Sequence, residues 1–176
     1  MSNRITPDEV NELYKEWHTP AHVIAHCRAV AHMAVKMAQA LNKCGYDLDV
    51  DLVRGTGLVH DVARTCDEHE KVGCEILKNL GYDDEARIVG VHMHYLTFNS
   101  AENVDECDLI CLADKLVMED KYAGLDQRFE YIVQKAHAKG QFKSFIYGNR
   151  DKLKVLVKNL EEIIGQPLEE LFKEEE

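Results

Sequence analysis

The 176 residues contain no apolar run long enough to cross a membrane, and the opening MSNRITPDEV lacks the apolar core of an export signal. A cytoplasmic protein without membrane contact is expected. Positive charge is also scarce: 21 Lys and Arg stand against 32 Asp and Glu, a formal charge of -11. That balance disfavours nonspecific binding to nucleic acid or to anionic membranes. A local cationic pocket can still attract phosphate, because bound metal ions are the largest charges in such a site. No CxxC pair occurs among the six cysteines, Cys27, Cys44, Cys66, Cys74, Cys107 and Cys111, which argues against a zinc ribbon. Reduced thiols packed as small hydrophobes are expected instead. Cys27 adjoins His26, but neighbours on a helix point ~100° apart, which argues against a catalytic thiol there. No GxGxxG or P-loop pattern is present.

Strand signals are nearly absent, and helical ones recur. Thr6-Pro7-Asp8-Glu9 has the makings of a capping box with proline in the first turn. Thr19-Pro20 repeats the pattern before a longer helix to about residue 43, whose apolar positions Val23, Val30, Ala34, Met37 and Leu41 keep helical spacing. Further helices are expected over about 49–63, 68–80, 83–93, 105–119 and 126–138. C-terminal helices cover about 142–172. Residues 95–104 form the only sizeable irregular segment in this reading. Gly55 and Gly57 fall inside the third helix, where each costs ~1 kcal/mol relative to alanine; close helix packing would account for them. The expectation is an all-α globule, one domain over 1–176 with its core at about 20–135.

Four stretches of this helical chain supply histidine and aspartate. They are His26 in AHVIAHCRAV, His60-Asp61 in GLVHDVAR, His69 in DEHEKVG with His92 in IVGVHMHY, and Asp114 in ICLADKLV. Asp61 and Asp114 have apolar neighbours, and an aspartate is costly to bury unless paired or metal-bound. Imidazole and carboxylate suit Fe, Mn, Co, Zn or Mg. Six such groups are enough for two ions with room left for water. Any one of the nine histidines has an ordinary structural explanation; the ordered set points to metal. His22 shares the face of His26 one turn away, and His94 competes with His92 as ligand or contacts substrate.

These ordered residues resemble the core pattern of HD-domain metal-dependent phosphohydrolases. The H…HD…D signature matches His26, His60-Asp61 and Asp114, and the extra histidines His69 and His92 resemble those of the binuclear branch. The blocks PAHVIAHCRAVA, GLVHDVAR and ADKLVMEDKYAGLDQRF are similar to those of small bacterial HD proteins. The resemblance covers residues 20 to about 135. It implies an HD-type helical fold and two divalent ions. His26, His60, Asp61 and Asp114 would hold the first, and Asp61 would bridge to a second held by His69 and His92. Asp61 and Arg64 would be the catalytic residues, with a water activated between the ions as nucleophile. Arg64, His94 and Lys115 are the expected substrate contacts. Arg128 is expected in a structural salt bridge.

The expected function is hydrolysis of a nucleotide or other small phosphate ester. Two alternatives stay open: a di-iron HD-type oxygenase, since ligands do not name the metal, and a metal-dependent binding module without turnover. A small phosphorylated molecule is the expected partner, not nucleic acid; oligomeric state is open.

Overall fold

The computed structural model describes residues 3–173. Helix α1, Pro7–Glu16, opens on a complete capping box. The Thr6 hydroxyl accepts from the Glu9 amide, and the Glu9 carboxylate accepts from the Thr6 amide at 2.8 Å. Helix α2, Ala21–Lys43, is the central element. Its Cys27, Val30, Met33, Ala34, Met37 and Leu41 recur at three- and four-residue intervals and have no solvent exposure. Thr19 does not cap this helix, contrary to expectation. Its hydroxyl donates instead to the Val62 carbonyl at 2.7 Å, tying the entry of α2 to the turns that follow the next helix.

Helix α3, Val50–Val59, is capped by Asp49, whose carboxylate accepts from the amides of Asp51 and Leu52. It ends four residues before the expected Ala63. The cause is a competition for one carbonyl. Nδ1 of His60 donates to the Gly57 carbonyl at 2.8 Å, the acceptor that a continuing helix would offer to the amide of Asp61. Consecutive turns then lead to α4, His69–Asn79. Helix α5, Asp83–Val89, gives way to a tighter turn in which the Val91 amide donates to the Ile88 carbonyl at 3.2 Å. Nδ1 of His92 donates to the Val89 carbonyl at 2.7 Å, and His92–His94 form a separate 3-10 turn rather than a helix end.

Helix α6, Glu106–Leu116, starts on a second capping box, Asp105 with Asp108. It gives way to a minute antiparallel hairpin, β1 (Val117–Met118) paired with β2 (Lys121–Tyr122), where helix was expected to Glu119. Glu119, in the turn, has φ of 56°. Helices α7 (Gly124–Lys135), α8 (Gly140–Ile164) and α9 (Leu168–Lys173) complete the chain. The fold is all-α apart from that hairpin. The irregular segment over 95–104 contains one 3-10 turn at Ala101–Asn103. It is pinned by buried Asp108, which accepts from the Tyr95 hydroxyl, the Asn99 amide and side chain, and the Asp105 amide.

Two apolar clusters build the interior. The larger joins most of α2 with α6 and the C-terminal helices; the smaller joins α1, the start of α2, the end of α3, α4 and α5. The two interior glycines of α3 have different causes. A Cβ on Gly57 would lie 2.6 Å from the Ala31 Cα, so α3 and α2 touch backbone to backbone there. A Cβ on Gly55 would meet Ile5 Cγ2 at 2.7 Å, so that glycine admits the N-terminal segment rather than a helix. Among the described residues, no helix is long and apolar enough to cross a membrane.

Candidate metal centre

The ends of α3, α5 and α6, the start of α4 and the second turn of α2 meet at one place, and they bring the six ordered His and Asp residues into two sets of three. His26, His60 and Asp114 form one, and Asp61, His69 and His92 the other; within each, the ligand atoms lie within 4.8 Å of one another. Nε2 of His26 is 3.1 Å from Asp114 Oδ1, and Nε2 of His60 is 3.8 Å from the same oxygen. Nε2 of His69 and His92 lie 3.0 Å and 3.4 Å from Asp61 Oδ1. The sets adjoin. Asp61 turns its other oxygen, Oδ2, towards His60 Nε2 at 3.9 Å. The imidazoles of His26, His60, His92 and His69 form an unbroken row, with successive ring centres 5.3–5.5 Å apart.

Backbone carbonyls orient three of these rings. Nδ1 of His26 faces the Glu119 carbonyl at 2.9 Å, as Nδ1 of His60 and His92 face those of Gly57 and Val89. A carbonyl only accepts, so each Nδ1 carries the hydrogen and each neutral ring presents a lone pair at Nε2. Those lone pairs all point at carboxylate oxygens. Nε2 of His60 and Oδ1 of Asp61 are buried without a hydrogen bond, the close approach of His69 having the wrong geometry for one. Buried acceptors facing buried acceptors are unfavourable unless a cation lies between them. The residues therefore fit divalent metal, with the ring orientation that metal-ligating histidines require.

The electrostatics agree. Burial pushes His60 down to about 4, so it is neutral and available as a ligand at physiological pH. Burial alone would raise Asp61 and Asp114. Facing imidazoles outweigh it and hold both far below the usual carboxylate range, Lys115 and Arg128 adding to the effect at Asp114. At His26 and His92 burial works downward, but the carboxylates of Asp114 and Asp61 win and raise both. A metal ion must displace the protons this retains. Affinity for a divalent ion is expected to climb as pH rises through neutrality and to level off above the raised histidine values. Calorimetric titration in buffers of different ionisation enthalpy checks this. Proton release on binding should be clear near pH 6.5 and vanish in alkaline buffer.

The remaining expected residues fall around these groups. Arg64 lies over the second set, with Nη1 3.2 Å from His69 Nδ1, Nε 3.5 Å from Asp61 Oδ2 and the side chain partly exposed. His92, not His94, shares the ligand set. His94 is 80% exposed and reaches only Glu70 at 3.7 Å. Lys115 Nζ donates to the Cys111 carbonyl and sits 6.0 Å from the Phe98 ring centre. His22 is exposed, and Cys27 is fully buried with its thiol pushed up by burial. Sequence reasoning missed what holds the ligands. Arg128 was expected in an ordinary structural bridge, but its partner is Asp114, at 3.7 Å. Buried Glu70 lies 3.8 Å from His69 Nδ1. The Glu119 carbonyl had no signal, because an orienting carbonyl does not depend on residue type.

The HD domain family model matches residues 23–119, a span that contains all six candidate ligand residues. An uncharacterized protein of Methanocaldococcus jannaschii is 42% identical over 71 residues, 39% of this chain and 42% of that protein. The chain thus covers less than half the length of that relative. No solved structure matches. HD domains bind divalent metals and are generally metal-dependent hydrolases, which is the chemistry the buried His/Asp groups suit. The match spans more than half of the residues, and on that ground the chain belongs to the HD-domain family.

Proposed function

We propose that the protein hydrolyses a small phosphate ester, a nucleotide among the candidates, using two divalent ions. The observation that carries this is the division of labour at Asp61, with one oxygen towards each ligand set. His26, His60 and Asp114 would hold one ion, His69 and His92 the other, and Asp61 both. Fe, Mn, Co, Zn and Mg all suit this nitrogen and oxygen donor set. Divalent ions bound there supply Lewis acidity and a water acidic enough to attack phosphorus near neutral pH. The overall step adds water to phosphorus, breaks the P–O ester bond and leaves the alcohol with a proton.

The protein's own groups do the rest. The carbonyls of Gly57, Val89 and Glu119 hold three rings in one tautomer. Arg64 offers a guanidinium at the exposed edge of the second set, shaped to meet two phosphate oxygens. Its replacement by alanine is expected to weaken turnover and inhibition by inorganic phosphate while metal content stays at the wild-type value; unaltered kinetics would make Arg64 a surface charge. The net charge of -11 disfavours long polyanions. A small ester feels mainly the local field, since charges beyond ~10 Å are screened at 0.1 M salt.

The test is metal analysis of anaerobically purified protein followed by phosphate release from a panel of esters and nucleotides, with three histidine variants. His69→Ala and His92→Ala should each fall towards one ion per chain and stay helical, whereas His94→Ala should keep both. Chelators should stop turnover. Metal-replete protein that consumes oxygen with a small polyol and releases no phosphate would replace this reading with the oxygenase one.

A further inference from the structure

A cavity of about 440 Å³ lies between the segment after His92, α7 and α8. It is not part of the ligand sets, but two of its lining residues lie one position from them and a third adjoins Arg128. Met93 follows His92, Lys115 follows Asp114, and Phe129 follows Arg128, whose guanidinium reaches Asp114. Asp114 and Lys115 point ~100° apart on α6, so metal site and cavity occupy adjoining faces of one helix. The volume falls in the range of small-molecule sites and exceeds what a phosphate group needs.

Its lining is chiefly apolar: the rings of Tyr95, Phe98, Phe129 and Phe145 with aliphatic side chains of α8. Phe145 and Val155, both lining residues, are 54% and 60% exposed. Of the polar groups, the Asn99 amide is already engaged with Asp108. Lys115 is the cation nearest the ligand sets along this wall. The wall on the loop side is not slack, because Asp108 holds both Tyr95 and Asn99.

We propose that this cavity receives the organic part of the substrate, and that this part is apolar: an alkyl or aryl phosphate monoester, with Lys115 at the boundary between phosphate and hydrocarbon. The inference rests on the phosphohydrolase reading for its chemistry and on the cavity alone for its specificity. Burying successive methylenes should raise affinity about fourfold each until the cavity is filled, the equivalent of ~0.8 kcal/mol per CH₂.

The experiment pairs binding with turnover in the metal-loaded protein. Methyl to octyl phosphonates are titrated by calorimetry, methyl to octyl phosphates and nucleoside monophosphates are assayed for phosphate release, and both are repeated with Val155→Glu. That position is exposed enough to tolerate the change. The expected result is at least tenfold tighter binding of octyl than of ethyl phosphonate, a parallel rise in kcat/KM, and loss of both gains in Val155→Glu, whose metal content and circular dichroism match the wild type. Equal cleavage of short and long esters overturns the cavity assignment and leaves the hydrolase reading intact. Preference for a nucleotide over octyl phosphate overturns the apolar assignment. Length-dependent binding with no phosphate released from any ester overturns the hydrolase reading and keeps the cavity as a ligand site. Sedimentation showing a dimer that Val155→Glu dissociates, without length-dependent binding, makes the cavity an interface between copies and overturns the proposal.

Discussion

Asp61→Ala is expected to strip metal from both ligand sets and to lower phosphate release by at least ~10³-fold, the scale of losing a metal-activated nucleophile together with its electrostatic support. Asp61 is the carboxylate with oxygens near histidines of both sets. Oδ1 lies near His69 and His92, and Oδ2 faces His60. Removing the carboxylate also leaves His69 and His92 without the carboxylate they face, so any ion that remained in their set would be held by neutral nitrogens alone. The helices should survive, because Asp61 lies in the turns after α3 and supports no helix of its own. Metal content by elemental analysis, turnover and far-ultraviolet circular dichroism check the three parts. Asp61→Asn separates charge from shape, and should also fail. A variant with full metal content and wild-type turnover would rule out the bridging role.

Gly57→Ala should cost about 2 kcal/mol and lower Tm by ~4–8 °C. Overpacking a tight contact costs ~1–3 kcal/mol, and helix propensity returns at most ~1 kcal/mol; for a chain of this size each kcal/mol moves Tm by ~2–4 °C. The obstacle is backbone. The new Cβ would stand 2.6 Å from Ala31 Cα and 3.0 Å from Ala31 N, and neither can rotate away. Parting α3 from α2 also moves the Gly57 carbonyl that orients His60, so metal affinity should fall with stability. Gly148→Ala, on exposed α8 with nothing within 4 Å of the added carbon, is the control and should be neutral or slightly stabilising. Equal melting of the two variants would remove the case for close packing.

Much of the helical order was legible in the chain because it depends on local chemistry. The capping box at Thr6 and Glu9, the cap at Asp49 and the three- and four-residue apolar spacing of α2 involve partners within one or two turns. One error falls where a side chain takes a carbonyl from the helix, and another where α6 gives way to the hairpin. His60 ends α3 in the first way, and the competition does not show in a propensity. Thr19 likewise abandoned a local cap for Val62, 43 residues on.

By itself the sequence determined an all-α chain, its helix starts and the identity and order of six metal-seeking side chains, because residue type and short-range spacing are enough for each. Only the tertiary structure decided how those six divide into two sets. That depends on where α2, α6 and the turns after α3 and α5 converge, and on the end of α3, which frees Asp61 from the helical direction of His60. It also decided that Arg128 faces Asp114 and that the hairpin places the Glu119 carbonyl on His26, 93 residues away. Such contacts come from packing distant segments together, so no window of sequence contains them.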